Sequence, residues 1–403
     1  MIDLFTPFSH NDIKRKGNTE SFDSYGKTLS LNQNFYFSQE RSEIKSLVTL
    51  AEPIIDITSD TDEKIIRKYN LKINNTILID EDDEKMAQIF KELESLPNSR
   101  FIPGGSAQNT LKVLAWIFNM EPYERKDYKI SIIGAIGDDI YKDKIEAEFK
   151  ELGINPIFEV LKGDKTSRVA VAIYNKEKSF VSQIRASKRL SEEFVEKHLK
   201  EILEHKALFI EGYMVSKKFN ICKMLSEYFI KEKKLIVLSL SACFIVKYYQ
   251  DKLIELANDA DIISGNMEEA IEFAGYKPPE VEDIFKIIFD KLKPKDNRII
   301  VITNGEEGAY WGKYNYEEKR LEHIIRYFAY KLKDEDIQDL NGSGDAFLGG
   351  FLSRYMKGYS VHDCSKIGIK AATVILKHVG CTFPKNHNIL TEKDDEEESD
   401  KDK

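Results

Sequence analysis

The chain is short of the features that would place it outside a cell or across a membrane. It has four cysteines in 403 residues. Cys222, Cys243, Cys364 and Cys381 are too scattered to form a metal-spaced pair or a disulfide framework. No apolar run approaches the roughly 18 residues of a spanning helix, and the polar N-terminus lacks a signal-peptide core. Positive charge is not in excess either. A formal net charge of −9 argues against nonspecific binding to nucleic acid or to an anionic membrane. A soluble, cytoplasmic protein is the expectation. Apolar residues, at 42%, suffice for a substantial core. The length allows one large α/β domain with an inserted subdomain, or two domains.

What is present is organised around Gln338 to Tyr355, QDLNGSGDAFLGGFLSRY. Phe347, Leu348, Phe351, Leu352 and Tyr355 recur at helical spacing, so a helix with one buried face follows a glycine-rich turn. Gly342 and Gly344 let successive N–H groups converge, and a helix start adds unpaired N–H groups and a positive dipole end. Such a place attracts phosphate. An acid there, Asp345, is poorly suited to bind phosphate and well suited to take a proton from a hydroxyl attacking phosphorus. The same pattern also describes a plainly capped helix. It does not fit the dinucleotide fingerprint, because Phe347 stands where the third glycine belongs.

Residues 1–47 are polar and without sustained period, and read as an N-terminal extension in which Phe35, Tyr36 and Phe37 could meet a protein partner. Tyr25 to Thr28 resembles the end of a P-loop, but Ser21 replaces its first glycine. LVTLAEPIIDI, from Leu47, reads as one buried strand that ends by delivering Asp56, and residues 75–79 as a second strand. Met86 to Leu96 reads as a helix. Pro103-Gly104-Gly105-Ser106-Ala107-Gln108-Asn109 then runs into an apolar helix. The two glycines allow a flat polar ligand to approach the backbone, Ser106 and Asn109 offer hydrogen bonds, and Ser106 is equally readable as an N-cap. Short Ile/Val/Leu runs at 130–133, 208–211, 235–241, 261–264 and 299–303 alternate with helix-patterned segments. That rhythm predicts a largely parallel sheet covered by helices on both faces. Ser167 to Ile184 alternates instead and reads as a hairpin turning at Asn175–Lys178, part of a small second sheet. The tail from Asp394, DDEEESDKDK, is expected to be disordered.

Several pieces in this order resemble the adenosine kinases, a branch of the ribokinase-like carbohydrate kinases. NGSGD with AFLGGFL is similar to their anion-hole and base signature, GGSAQN to their nucleoside-binding turn and LSACF to their substrate-side strand. GNMEEA is similar to their metal-organising motif and GCTFP to their characteristic end. The resemblance covers about Leu47 to Lys385. It implies a ribokinase-like kinase domain over 48–390, with a β-rich lid from about 54–103 and 158–187 and an acidic tail at 391–403. It implies transfer of phosphate from ATP, with Mg²⁺, to the 5′-hydroxyl of adenosine by a purine-salvage enzyme, a monomer.

Position by position, Asp345 becomes the general base and the Gly342, Ser343 and Gly344 backbone the anion hole. Asp56 becomes the acid that grips the ribose hydroxyls, helped by Gly105, Ser106 and Asn109. Leu78, Phe180, Tyr213 and Phe244 line the adenine site, and Asn266 with Glu269 arranges Mg²⁺ through water. Departures stand beside these matches. Glu52 replaces an Asn beside the nucleoside, on what reads as the same strand face as Asp56. Lys178 replaces the lid Arg that clamps the phosphate, keeping the charge but losing the bidentate fork. Thr76 replaces a Gln, Leu340 a Thr and Met267 an acid, and Arg185 to Lys188 replaces a small neutral run. Two other readings therefore stand: a kinase-like binding or structural subunit with weak or no activity, and a kinase for another nucleoside or a sugar.

Overall fold

The computed structural model describes residues 42–391, apart from Asn74, Lys176, Lys385 and Asn386. Most of the N-terminal extension, including its Phe35–Phe37 cluster and the 25–28 fragment, and the acidic tail beyond Thr391 lie outside the described residues.

The strands are β1 (Ser46–Leu50), β2 (Ile54–Asp60), β3 (Thr76–Leu78), β4 (Arg100–Gly104), β5 (Lys129–Gly137), β6 (Ile154–Leu161) and β7 (Ser167–Tyr174). They continue as β8 (Glu177–Gln183), β9 (Ala207–Glu211), β10 (Leu235–Ser239), β11 (Ile262–Asn266), β12 (Ile299–Thr303), β13 (Ala309–Asn315) and β14 (Arg320–Tyr327). Nine form one sheet in the order β14-β13-β12-β11-β10-β9-β1-β5-β6, parallel except for the antiparallel edge β12-β13-β14. The other five form a second sheet in the order β3-β8-β7-β2-β4.

The large sheet is apolar on both faces because its strands carry branched residues at both parities. Leu47, Ile130, Phe209, Val237 and Val301 enter one core, while Val48, Ile133, Leu208, Ile236 and Ile300 enter the other. Period-two alternation sends neighbours to opposite faces, so such a sheet must be covered twice. Helices α1 (Ser106–Asn119), α5 (Ser343–Tyr355) and α6 (Val361–Leu376) contribute to the first face. Helices α2 (Gly212–Lys231), α3 (Cys243–Asp259) and α4 (Met267–Ala274) contribute to the second. Against α1, the second glycine-rich approach is tight: a side chain at Gly349 would lie 2.6 Å from the Thr110 carbonyl. Any residue larger than glycine would push α5 away from α1.

The stretch LVTLAEPIIDI is two strands, not one. It breaks at Ala51–Pro53, and the halves join different sheets: β1 pairs with β5 and β9, β2 with β4 and β7. Pro53 lacks the N–H that a continuing ladder would need. Asp56 is consequently the third residue of β2 rather than a strand end, and Glu52 does not share a strand face with it. Residues 158–161, placed in the lid by resemblance, are the end of β6 and stay on the large sheet. The hairpin turn is also tighter than read. Lys178 already lies within β8, opposite Ile173. The edge hairpin β13–β14 had no reading in the sequence.

Candidate active site

Helix α5 starts behind Gly342, whose φ of +78° is the left-handed conformation that glycine adopts without cost. The first N–H groups of any helix lack an intrahelical acceptor. Here they belong to Ser343, Gly344 and Asp345, and a side chain built on Gly344 would meet nothing within 4 Å. Open space therefore faces the helix start. Asp345 is the third helical residue. Its Oδ1 accepts the Ser106 hydroxyl at 2.7 Å and its Oδ2 accepts Asn109 Nδ2 at 3.0 Å. Burial holds the Asp345 carboxyl above the usual carboxylate range, opposed by those two hydrogen bonds. Ser106 is thus spent on Asp345, and the N-cap of α1 is Gly105 (φ +94°), with no side-chain cap.

Beside the turn lies a cavity of about 50 Å³ whose lining includes Asp56, Asn109, Lys178, Phe180, Asp339 and Gly342. Asp56 reaches it because Gly104 has no side chain: a Cβ there would sit 2.3 Å from Asp56 Oδ2. Burial, opposed by Lys112 and reinforced by Asp339, pushes the Asp56 carboxyl up to about 7. Lys112, fully buried on α1, donates to the Pro103 carbonyl and pairs with Glu148, both at 2.8 Å. Asp339 draws the cavity together. Its carboxylate accepts the N–H and side-chain amide of Asn341 at 3.0 and 3.1 Å and the N–H of Gly380 at 2.8 Å. Lys178 Nζ lies 2.5 Å from Asp339 Oδ2, so the second sheet is pinned to the glycine-rich turn.

On the far side of Gly105 is an acidic cluster. Both oxygens of Glu52 accept Lys217 Nζ at 2.7 Å. The Glu52 N–H donates to Glu211 Oε1 at 3.2 Å, and the Ala107 N–H to Glu211 Oε2 at 2.8 Å. Burial first, and Glu52 second, push the Glu211 carboxyl up to about 8. Tyr213 and Phe244 pack with ring centroids 6.0 Å apart, and burial raises the Tyr213 phenol, with Glu211 the largest of the nearby charges. Leu78 is not gathered with these residues. It sits on the edge strand β3, 59% exposed, and of the four expected adenine-site residues Phe180 lines the cavity while Leu78, Tyr213 and Phe244 do not.

Asn266 and Glu269 stand where β11 passes into α4. Asn266 caps the helix by accepting the Glu269 N–H at 2.8 Å, and Glu269 accepts the Asn266 N–H at 3.0 Å and its side-chain amide at 2.8 Å. Glu269 is 5% exposed, and its carboxyl is pushed up to about 7, mainly by burial. Among the described residues no group of three or more His, Cys, Asp or Glu side chains could hold a metal ion by itself.

The profile of the pfkB family carbohydrate kinases matches residues 67–388. The chain belongs to that family. Among its relatives, adenosine kinase 2 of Arabidopsis thaliana is 28% identical over 345 residues, covering 84% of this chain and 95% of the relative. The adenosine kinase of Dictyostelium discoideum is 27% identical over 350 residues, covering 85% and 97%. Among solved structures, apo adenosine kinase of Trypanosoma brucei brucei superposes with a TM-score of 0.75 at 25% identity, covering 84% of this chain and all of that one. The Schistosoma mansoni adenosine kinase in complex with 2-fluoroadenosine gives 0.71 at 26% identity, covering 85% and 98%. The α/β, ribokinase-like architecture expected from the motifs is the observed one.

Asp339, Lys112, Glu211 and Lys217 went unread in the sequence. Asp339 was within sight, three residues before Gly342 in the same motif. Glu211 carried one usable signal, an acid at the carboxyl end of a parallel strand, where α/β sheets place their ligand sites.

Proposed function

We propose that this pfkB-family protein transfers the terminal phosphate of ATP to the 5′-hydroxyl of adenosine, giving AMP and ADP. The observation that carries the reading is Asp345 at the glycine-rich start of α5, oriented by Ser106 and Asn109, which lie 239 and 236 residues earlier in the chain. The identity of the relatives directs the choice of nucleoside. Asp345 takes the proton from the attacking hydroxyl, and the N–H groups of Gly342, Ser343 and Gly344 face the charge that builds on the transferring phosphate. Asp56 accepts the ribose hydroxyls, with Gly105 and Asn109 beside it and Phe180, Tyr213 and Phe244 toward the base. Leu78 would join them only if the second sheet moves. Such a movement is part of the reading, because a nucleoside does not fit about 50 Å³. Opening separates Lys178 from Asp339, and on closure over substrate the ammonium is free to turn to phosphate.

Mg²⁺ is the ion the family implies, and the donor set suits it. Glu269 is a buried acid that makes no ion pair among the described residues, and one carboxylate with one amide fits an ion that keeps most of its water. Asn266 and Glu269 would hold it through water, and it would neutralise charge on the phosphates.

A second reading, a binding or structural subunit of low activity, has its own observation: Lys178 is spent on Asp339 in the closed cavity. The deciding experiment is a coupled assay of ADP release with Mg²⁺ and ATP, comparing adenosine with other nucleosides, ribose and fructose. Adenosine-dependent release supports the kinase. Release with ribose or fructose alone would move the assignment to a sugar. No release from folded protein, and no adenosine binding by calorimetry, would leave the structural subunit.

A further inference from the structure

Glu211 is the buried acid that the proposed chemistry does not use. It closes β9 at 2% exposure and makes no ion pair among the described residues. An acid buried in this way costs free energy unless its oxygens are well used. Both are used, and on backbone. Oε2 accepts the N–H of Ala107, in the first turn of α1, and Oε1 the N–H of Glu52, in the break between the two sheets. The opening N–H groups of a helix need acceptors, and the usual source is the N-cap side chain. At α1 the N-cap is Gly105, which has none, and the neighbouring hydroxyl of Ser106 is committed to Asp345. The acceptor is therefore supplied by a strand about a hundred residues away, and a carboxylate there also meets the positive end of the α1 dipole. The break lies against the same turn, because a side chain on Gly105 would come within 3.1 Å of the Glu52 carbonyl.

We propose that Glu211 is a positioning residue for the catalytic base: it ties the start of α1 to the Glu52 break, so that Ser106 and Asn109 aim the Asp345 carboxylate. The inference rests on the kinase reading above for its link to turnover. Its structural half, the tethering of the turn, does not.

The groups that face Glu211 are Glu52 from the break, whose own carboxylate is turned to Lys217, then Tyr213 and Cys222 from α2 and Asp345 from α5. None is a cation in contact with it, so nothing offsets the burial and the Glu52 charge that push its carboxyl up to about 8 except the two backbone hydrogen bonds. Ionised, it offers two acceptor oxygens to two N–H donors. Protonated, it must place an O–H between the same donors, and one of them loses its acceptor. The tether tightens as pH rises through that range.

The test uses the full chain and the variants Glu211→Gln and Glu211→Ala, assayed for adenosine-dependent ADP release across pH and compared by peptide-level hydrogen exchange. Glu211→Ala should lower kcat by roughly 10–100-fold, as a displaced reacting group does, with the KM for ATP changed less than about twofold. Glu211→Gln, which keeps one acceptor oxygen, should fall between it and the wild type. A rise of kcat near pH 8 in the wild type should be missing from both variants. The amides of 105–109 should exchange faster in Glu211→Ala, while α5 keeps its protection. Wild-type kcat and wild-type pH dependence in both variants would overturn the proposal. If the wild type itself releases no ADP, the kinase reading fails separately. The tether is then judged by exchange alone, and unchanged protection of 105–109 in both variants sinks it. If Glu211→Ala does not fold, the same criteria apply to Glu211→Gln.

Discussion

At one end of the site Gly342, Ser343, Gly344 and Asp345 occupy consecutive positions on one helix start. At the other, Asp56 comes from β2, Gly105 from the α1 turn, Lys178 from β8 and Glu211 from β9. The first, the proposed phosphate end, obtains its electrostatics from backbone geometry that a short motif dictates. The second, the proposed nucleoside end, obtains them from side-chain charges brought together by tertiary structure, where each acid depends on a partner far away in sequence. Glu52 has Lys217, Asp339 has Lys178, Glu211 has two backbone N–H groups, and Asp56 has Lys112 at a distance. The first end should be sensitive to single atoms. The second should be tuned by pairs and by pH.

The largest effect expected from breaking the phosphate end is that of Asp345→Asn. It keeps the shape and a hydrogen-bonding group for Ser106 but removes the proposed base, so kcat should fall by roughly 10²–10⁴-fold while adenosine still binds. Stopped or steady-state turnover beside calorimetric binding checks this, and equal turnover in mutant and wild type would show that the base is elsewhere.

Gly104→Ala probes the nucleoside end at its tightest point. The new methyl would overlap the Asp56 carboxylate, 2.3 Å from Oδ2. Overpacking of this kind costs about 1–3 kcal/mol, here spent on displacing the proposed ribose-binding acid. The KM for adenosine should rise about tenfold, with the KM for ATP little changed. A variant with ordinary adenosine KM would mean that Asp56 does not hold the ribose.

That asymmetry explains what was legible in the sequence. NGSGD could be read because its chemistry is local: a positive-φ glycine, free N–H groups and an acid one turn in. GGSAQN was read as a ligand turn, and Ser106 and Asn109 do meet Asp345, but the sequence could not show that Ser106 would be taken from capping and that a distant acid would replace it. The strand pattern gave the two-faced sheet, since apolar residues at both parities demand two cores. It failed at Pro53, where a continuous apolar run conceals a change of sheet, and at β13–β14, where the half-buried residues of β14 carry no clean period. The resemblance offers Lys178 as a lid cation. Its pairing with Asp339 depends on how two sheets meet, which no spacing encodes.

The pH dependence of stability sharpens the comparison without any substitution. Asp56 and Glu269 are pushed up to about 7 and Glu211 to about 8, mainly by burial. Each binds its proton more tightly folded than unfolded. Their favourable contribution is complete below the ordinary carboxylate range and is lost as pH rises toward 7–8, a cost of a few kcal/mol per fully shifted acid. Ligand-free protein should therefore melt several degrees lower at pH 8 than at pH 6, and Asp56→Asn or Glu211→Gln should flatten that slope. An Asp345→Ala slope as steep as the wild type's would agree with Asp56, Glu211 and Glu269 carrying most of it. A wild-type melting temperature that rises over this interval would contradict the assignment.

The smallest effect concerns Glu52 and Lys217, and its sign is informative. The pair is unevenly buried: the Glu52 side chain is 6% exposed and that of Lys217 31%. Removing the cation with Lys217→Met strands a buried carboxylate next to Glu211 and beside the Gly105 turn. Removing the acid with Glu52→Asn leaves an ammonium that can swing into the cavity of about 410 Å³ it already lines, beside Lys218 and Lys252. An unmade interaction costs most at the partner that stays buried. Lys217→Met should thus weaken adenosine binding by several-fold, whereas Glu52→Asn should leave it unchanged or slightly tighter. The double variant should behave like Glu52→Asn, with a coupling energy of about 0.5–1 kcal/mol, at the low end because Lys217 is partly screened. Calorimetric titration of adenosine into the four proteins completes the cycle. If the two single variants weaken binding equally, the pair acts as a ligand-binding unit rather than as charge balance behind the turn, and the nucleoside end must be rebuilt around it.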